Sequence, residues 1–170
     1  YGAFDVQISP MLVGLSNFYQ KQKKWSEAEN SLLKALSINE STHGDKHIET
    51  ADVKILLARF YKTKGDNLKA ANYYKRALSA YTVSLTGDSP QLAIASEEAA
   101  RFFKEQKKYD IAESHFNKAL AIYEKILKPD HIYIAEILDN LVMVNKKLNN
   151  KKQAKMMKKR AKKIRKKNRA

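Results

Sequence analysis

Few side chains in this sequence have the type and spacing to do chemistry. Four histidines, His43, His47, His115 and His131, are spread over 170 residues, and there is no cysteine. That excludes disulfides, thiolate nucleophiles and Cys-based zinc sites. His43 and His47 stand four apart, a spacing that on a helix can seat a metal ion between two imidazoles. The interval contains Gly44 and Asp45 and reads as a joint, so no helical metal pair is expected there. His47 and His131 are expected to shape joints instead. Glu97 and Glu98 lie on a periodic stretch and read as a solvated or groove-facing edge rather than an acid/base pair. No Gly-rich phosphate loop, no G-x-S-x-G and no H-E-x-x-H occurs. The expectation is a protein without catalysis, cofactor, bound metal or small-molecule substrate.

The other chemically active groups are cations. There are 33 Lys+Arg against 18 Asp+Glu, a net charge of +15. Residues 146–170 hold 14 of those cations and no acidic residue, which leaves a body of net charge +1 and a strongly basic end. Clustered Lys and Arg give salt-sensitive, sequence-independent affinity for phosphates or anionic lipid, so Lys158, Lys159, Lys162, Lys163 and Arg165 form a candidate basic surface. Ala154, Met157, Ala161 and Ile164 recur there at helical spacing. The same stretch therefore also reads as a soluble terminal helix with one packed stripe. It lacks aromatics for stacking on bases and is poor in large apolar residues for membrane insertion.

These side chains need elements to position them, and a repeat supplies the elements. At 44% hydrophobic the chain can bury a core, and no apolar run approaches the roughly 18 residues of a membrane span. Tyr19, Tyr61 and Phe103 are 42 apart, as are Ala28, Ala70, Ala112 and Ala154, and Ala35, Ala77, Ala119 and Ala161. Leu32, Tyr74 and Phe116 form a further bulky column, and Ala51, Ala93 and Ala135 close the units. Each unit reads as two helices. The first run near 10–22, 50–63, 92–106 and 132–147, and the second near 26–41, 68–84, 110–127 and 150–167. Ser26 with Glu29, Asp110 with Glu113 and Asn150 with Gln153 have capping-box spacing. The expected organisation is a joint from a preceding repeat over 1–9, repeats over 10–51, 52–93 and 94–135, and a fourth repeat with a basic capping helix over 136–170. In that last unit Asn145 replaces the aromatic and Lys158 the bulky residue, as suits a polar terminal face. Gly2 lies one period before Gly44, so the chain is expected to be a fragment or to follow repeats outside it. The leading YGAFDVQISP carries no signal-peptide pattern. A cytoplasmic location is expected, with a periplasmic or exported one left open by the truncated look of that end.

Small residue, aromatic, Ala, bulky apolar and Ala at these spacings resemble the tetratricopeptide repeat. The 42-residue unit, the G-D-x-H joint of Gly44, Asp45 and His47, and the ending Ala119, Leu120, Ile122, Glu124 resemble the longer-helix subclass found in kinesin light chains. The paired Ala columns favour this over a HEAT or armadillo array. The resemblance implies an all-α fold, a right-handed α-solenoid of antiparallel helix pairs. It also implies a concave groove, lined by the first helices, that binds a partner peptide. Placed residue by residue, the groove positions are Val13, Asn17, Gln20, Ile55, Arg59, Lys62, Arg101 and Lys104, with Glu97, Asp139, Met143 and Lys146 at equivalent places. The cations imply an acidic peptide, since Arg can grip a carboxylate with two parallel hydrogen bonds. The rival expectation is that Arg59 and Arg101 pair with Glu97, Glu98 or Asp139 across units and only solubilise the groove. A clamp for chaperone C-termini is not expected, because Val13, Leu56, Ile94 and Glu98 stand where its other residues would be. The alternative function is nucleic-acid or anionic-surface binding through the basic end.

Overall fold

The computed structural model describes residues 3–85 and 88–168. Among them are eight helices and no strand: α1 (Ala3–Lys21), α2 (Trp25–His43), α3 (Ile48–Lys64), α4 (Asn67–Ser84), α5 (Pro90–Glu105), α6 (Tyr109–Ile126), α7 (Ile132–Lys147) and α8 (Lys151–Lys167). The chain divides into two compact units, Tyr1–Thr86 and Gly87–Ala170. In the first, α1 packs on α2, α3 on α4, and α2 on α3; in the second, α5 packs on α6, α7 on α8, and α6 on α7. No helix is long and apolar enough to cross a membrane among these residues.

The alanine columns carry the packing. Ala28, Ala35, Ala70, Ala77, Ala112 and Ala119 are fully buried, and Ala154 and Ala161 nearly so. A methyl group at the crossing lets the partner backbone come close, and the bulky column beside it (Leu32, Tyr74, Phe116) fills the remaining space. Lys158, the fourth member of that column, is exposed, as expected of a polar outer face. A second column reverses at the first helix. Val53, Leu57 and Phe60 on α3 are buried, whereas their equivalents Met11, Leu15 and Phe18 on α1 are exposed.

In the second and third pairs the aromatic column is buried and stacked on the second helix. Tyr61 lies on Tyr73 at 5.5 Å and 9°, and one period later Phe103 lies on His115 at 5.6 Å and 11°. Tyr61 also donates a 2.6 Å hydrogen bond to Glu29. The fourth unit keeps the contact but not the stack: buried Asn145 donates to the Leu141 carbonyl at 3.0 Å and approaches the Met157 sulfur at 3.8 Å.

The short joints differ from expectation. None of the three predicted capping boxes forms. Lys24 and Lys108 occupy the cap positions of α2 and α6, and neither they nor Asn150 makes a side-chain cap. Ser26 and Asp110 fall inside their helices. What turns the chain is a residue in the left-handed region, 42 apart each time: Lys23, Gly65, Lys107 and Asn149. The next amide then bonds back to the carbonyl of the aromatic column, Lys24 to Tyr19, Asp66 to Tyr61, Lys108 to Phe103 and Asn150 to Asn145, at 2.8–2.9 Å. This is the Schellman arrangement, which satisfies carbonyls at the helix end without a side chain. Asp66 alone among these joints adds a side-chain cap, accepting from the Lys69 amide at 3.0 Å. The start of the chain differs too. Residues 3–9 belong to α1, with Pro10 inside the helix, where a joint was expected. Gly2, Thr86 and Gly87 lie outside the described residues.

Two expectations follow. A lysine at a left-handed position is strained where Gly65 is not, so Lys107→Gly should stabilise by about 0.5–1 kcal/mol after the added unfolded-chain entropy. In thermal melts this reads as a rise of about 1–4 °C for a chain of this length. Burial, and secondarily Lys118, pushes the His115 imidazole below its ordinary value. The folded chain thus favours neutral His115, so its contribution is full above the unfolded value of about 6.5 and is lost as pH falls toward the lower folded one. His115→Tyr, copying Tyr73, should make the melting temperature fall less than wild type between about pH 7 and about pH 5.

Candidate functional site

The first helices expose one column in every pair. Asn17, Arg59, Arg101 and Met143 are all exposed, and Gln20, Lys62 and Lys104 beside them are half-buried with Lys146 exposed. These are the predicted groove positions. Ile55 is a correction: it is 5% exposed and belongs to the core of α3, because its column turns inward at this crossing. Glu97, in the same column, is likewise 5% exposed. Val13 is half-buried and lines a hollow of about 300 Å³ between α1, α2 and α3, with Pro10, Asp52 and Leu56.

In the second unit the charges of this face are largely answered from within. Arg101 reaches Glu97 one turn away through Nε at 2.9 Å and Nη2 at 2.5 Å. Lys104 donates to the Asn140 amide oxygen at 2.6 Å and sits 5.8 Å from the Phe116 ring centre. Asp139 is taken by Arg165, not by Arg59 or Arg101. Arg101 therefore does pair with Glu97, but within one helix and not across units as the rival expectation had it. In the first unit Gln20 donates to Ser16 at 3.2 Å and Asp52 accepts from Tyr81.

The basic helix is likewise part solvated and part pinned. Arg160 pairs with Glu124, Arg165 with Asp139 and Lys167 with Asp130, which fastens α8 to its neighbours. Arg165 thus leaves the proposed basic surface and becomes an anchor. Lys158, Lys159, Lys162 and Lys163 are exposed and form no ion pair among the described residues. Lys158 and Lys162 border a hollow of about 400 Å³ with Asp139, Arg165 and Lys166.

The first joint holds a network that sequence reasoning missed. Lys54 is fully buried, and its Nζ lies 2.6 Å from Asp45 Oδ1, 2.5 Å from the Asp45 carbonyl and 3.7 Å from Glu40. Arg76 joins the same two carboxylates at 2.8 and 3.2 Å. The Lys54 ammonium, opposed by desolvation and helped by Arg76, holds the Asp45 carboxyl down at about 2. The available signal was that Lys54 interrupts a column otherwise made of Leu12, Ser96 and Leu138. His47 and His131 shape joints as expected: each Nδ1 accepts from an amide two residues on, Glu49 at 3.4 Å and Tyr133 at 3.2 Å. Ser89, between them in the same column, caps α5 by accepting from Gln91 at 3.2 Å.

Comparison with known proteins follows the same lines. Residues 7–82 and 91–167 match the family model described as tetratricopeptide repeat. A clustered mitochondria protein homolog of Debaryomyces hansenii is 29% identical over 126 residues, 74% of this chain and 10% of that protein. RNA polymerase II-associated protein 3 of Xenopus tropicalis is 33% identical over 92 residues, 54% of this chain and 14% of that protein. The chain thus spans a small part of these relatives. Among solved structures, BtubC (BKLC) from P. vanneervenii superposes with a TM-score of 0.77 at 22% identity, covering 92% of this chain and 63% of the other. A Podosopora anserina protein described as a kinesin light chain with nearly identical TPR-like repeats gives 0.77 at 19% identity, covering 94% and 76%. At these identities the likeness shows the fold: the all-α solenoid class of antiparallel helix pairs.

Lys54→Met keeps the buried volume and removes the ammonium. Titrated by NMR, the Asp45 carboxyl should climb from about 2 toward the ordinary carboxylate range. Because Asp45 still reaches water and Arg76, the melting temperature should move by less than the loss expected from an uncompensated buried charge.

Proposed function

Because the chain belongs to the tetratricopeptide repeat family, we propose that it is a non-catalytic protein-interaction scaffold whose first helices hold an acidic segment of a partner. The observation that supports this is the column Asn17, Arg59, Arg101, Met143, exposed in every helix pair, with both chain neighbours buried in the second, third and fourth pairs. Each unit offers its own face. The first has Asn17, Gln20, Arg59 and Lys62, with Val13 for apolar contact; the second has Arg101 and Lys104. Asn can bond an extended backbone and the cations can meet carboxylates. Glu97 already occupies Arg101, so the second face takes an acidic residue only by competition.

Binding of acidic peptides that carry a Leu or an aromatic tests this, read by fluorescence anisotropy. Arg59→Glu should weaken binding at the first face about tenfold, which is about 1.4 kcal/mol. Glu97→Gln should release Arg101 and tighten binding at the second. Peptides that bind wild type, Arg59→Glu and Arg101→Glu equally well would overturn the assignment.

A second reading rests on Lys158, Lys159, Lys162 and Lys163, exposed and unengaged by acidic partners among the described residues. Such a cluster supports salt-dependent binding to nucleic acid or an anionic surface. Replacing the four by Gln should abolish retention on duplex DNA or anionic vesicles and flatten its salt dependence. Unchanged retention removes this reading.

A further inference from the structure

The joint between α2 and α3 brings together three groups that no single helix would. His43 is the last residue of α2, His47 is the N-cap of α3 and Glu49 lies in its first turn. One donor atom from each falls within 4.8 Å of the other two. The two imidazoles are stacked, with ring centres 4.6 Å apart and planes 21° from parallel. In front of them lies an open hollow of about 520 Å³ that also reaches Gly44 and Ser84.

We propose that His43, His47 and Glu49 form a binding site for a divalent transition-metal ion, with Zn²⁺ as the best match. The main observation is the contact between His43 Nε2 and Glu49 Oε2. The two atoms are 3.0 Å apart, yet Nε2 is buried and has no hydrogen-bond partner. At 3.0 Å the two atoms are in ion-pair reach but off line for a hydrogen bond, and their spacing is close to that of two ligands on one cation. Tetrahedral zinc ligands at about 2.0–2.1 Å from the metal stand roughly 3.3 Å from each other. Two imidazole nitrogens and a carboxylate oxygen suit zinc, nickel or copper and are a poor set for magnesium or calcium, which prefer oxygen throughout. Three protein ligands leave a fourth position for water, and the hollow gives it room.

His47 must give up something to take part. A neutral imidazole has one free lone pair, so metal on either nitrogen ends the Nδ1 cap of α3. That bond is 3.4 Å, beyond the usual range for N–H donors, and its loss costs little. Asp45, which lines the same hollow, is held by Lys54 and Arg76 and is not counted among the ligands. Both helix ends belong to the first unit, so a bound ion would tie the end of α2 to the start of α3.

The test is calorimetric titration of the untagged, EDTA-treated chain with Zn²⁺, and with Mg²⁺ as control. One Zn²⁺ per chain is expected, with no response to Mg²⁺. His43→Gln and Glu49→Gln should each weaken binding at least tenfold. His47→Ser is the variant safest for the fold, because Ser89 already caps α5 at the equivalent position; it should also weaken binding at least tenfold while its melting temperature without metal stays near wild type. Zn²⁺ should raise the wild-type melting temperature and leave the triple variant unmoved. An ordinary His43–Glu49 ion pair predicts no Zn²⁺ uptake and no effect of Zn²⁺ on melting. Either that result, or binding that survives the triple substitution, would overturn the proposal.

Discussion

The structure depends on how close the second helix of each pair lets its neighbours come. Two alanines seven residues apart, Ala28 and Ala35 and their repeats, supply that approach, and none of the six in the first three pairs keeps exposed surface. A larger side chain there would hold the backbones apart and leave the bulky column without contact, a loss felt through close packing. Given the approach, the aromatic column has one place to go. In the second and third pairs it is stacked on Tyr73 or His115, and in all four pairs the carbonyl at this position takes the amide that closes the short joint. Packing and turn are thus coupled at the same residue.

The charges are arranged around that core with more economy than a net value of +15 suggests. Arg76 with Glu40 and Arg160 with Glu124 repeat the same pairing in the two units, each across 36 residues. Lys125 with Asp88 and Lys167 with Asp130 repeat another. Several cations of the basic end are therefore fasteners of the last helix. Exposed pairs of this kind contribute little stability each; their effect is to fix where α8 lies, which decides which lysines remain open to solvent.

The first-helix faces show how spacing and structure divide the work. The positions 17, 59, 101 and 143 were placed by the resemblance to the tetratricopeptide repeat, carried along the 42-residue period, and all four are exposed. Ile55 and Glu97 were misjudged because they sit at the edge of that face, where a small rotation of the helix decides between groove and core. The capping boxes failed for a related reason. Ser26 and Asp110 have the right partner three residues on, but the left-handed residue before them starts the helix earlier and satisfies the chain end through backbone bonds.

By itself the sequence determined the repeat, the helix pairs and the buried columns, while the exposed face was outlined by family resemblance. The first three follow from periodicity along the chain, which needs no knowledge of what lies opposite. Only the tertiary structure decided the partners: Lys54 with Asp45, Arg165 with Asp139, His43 with Glu49. These contacts form across joints and between helices, where the crossing of two helices sets the distance. The repeat would carry such a pair from one unit to the next once it is known, but the first instance depends on geometry that local spacing does not contain.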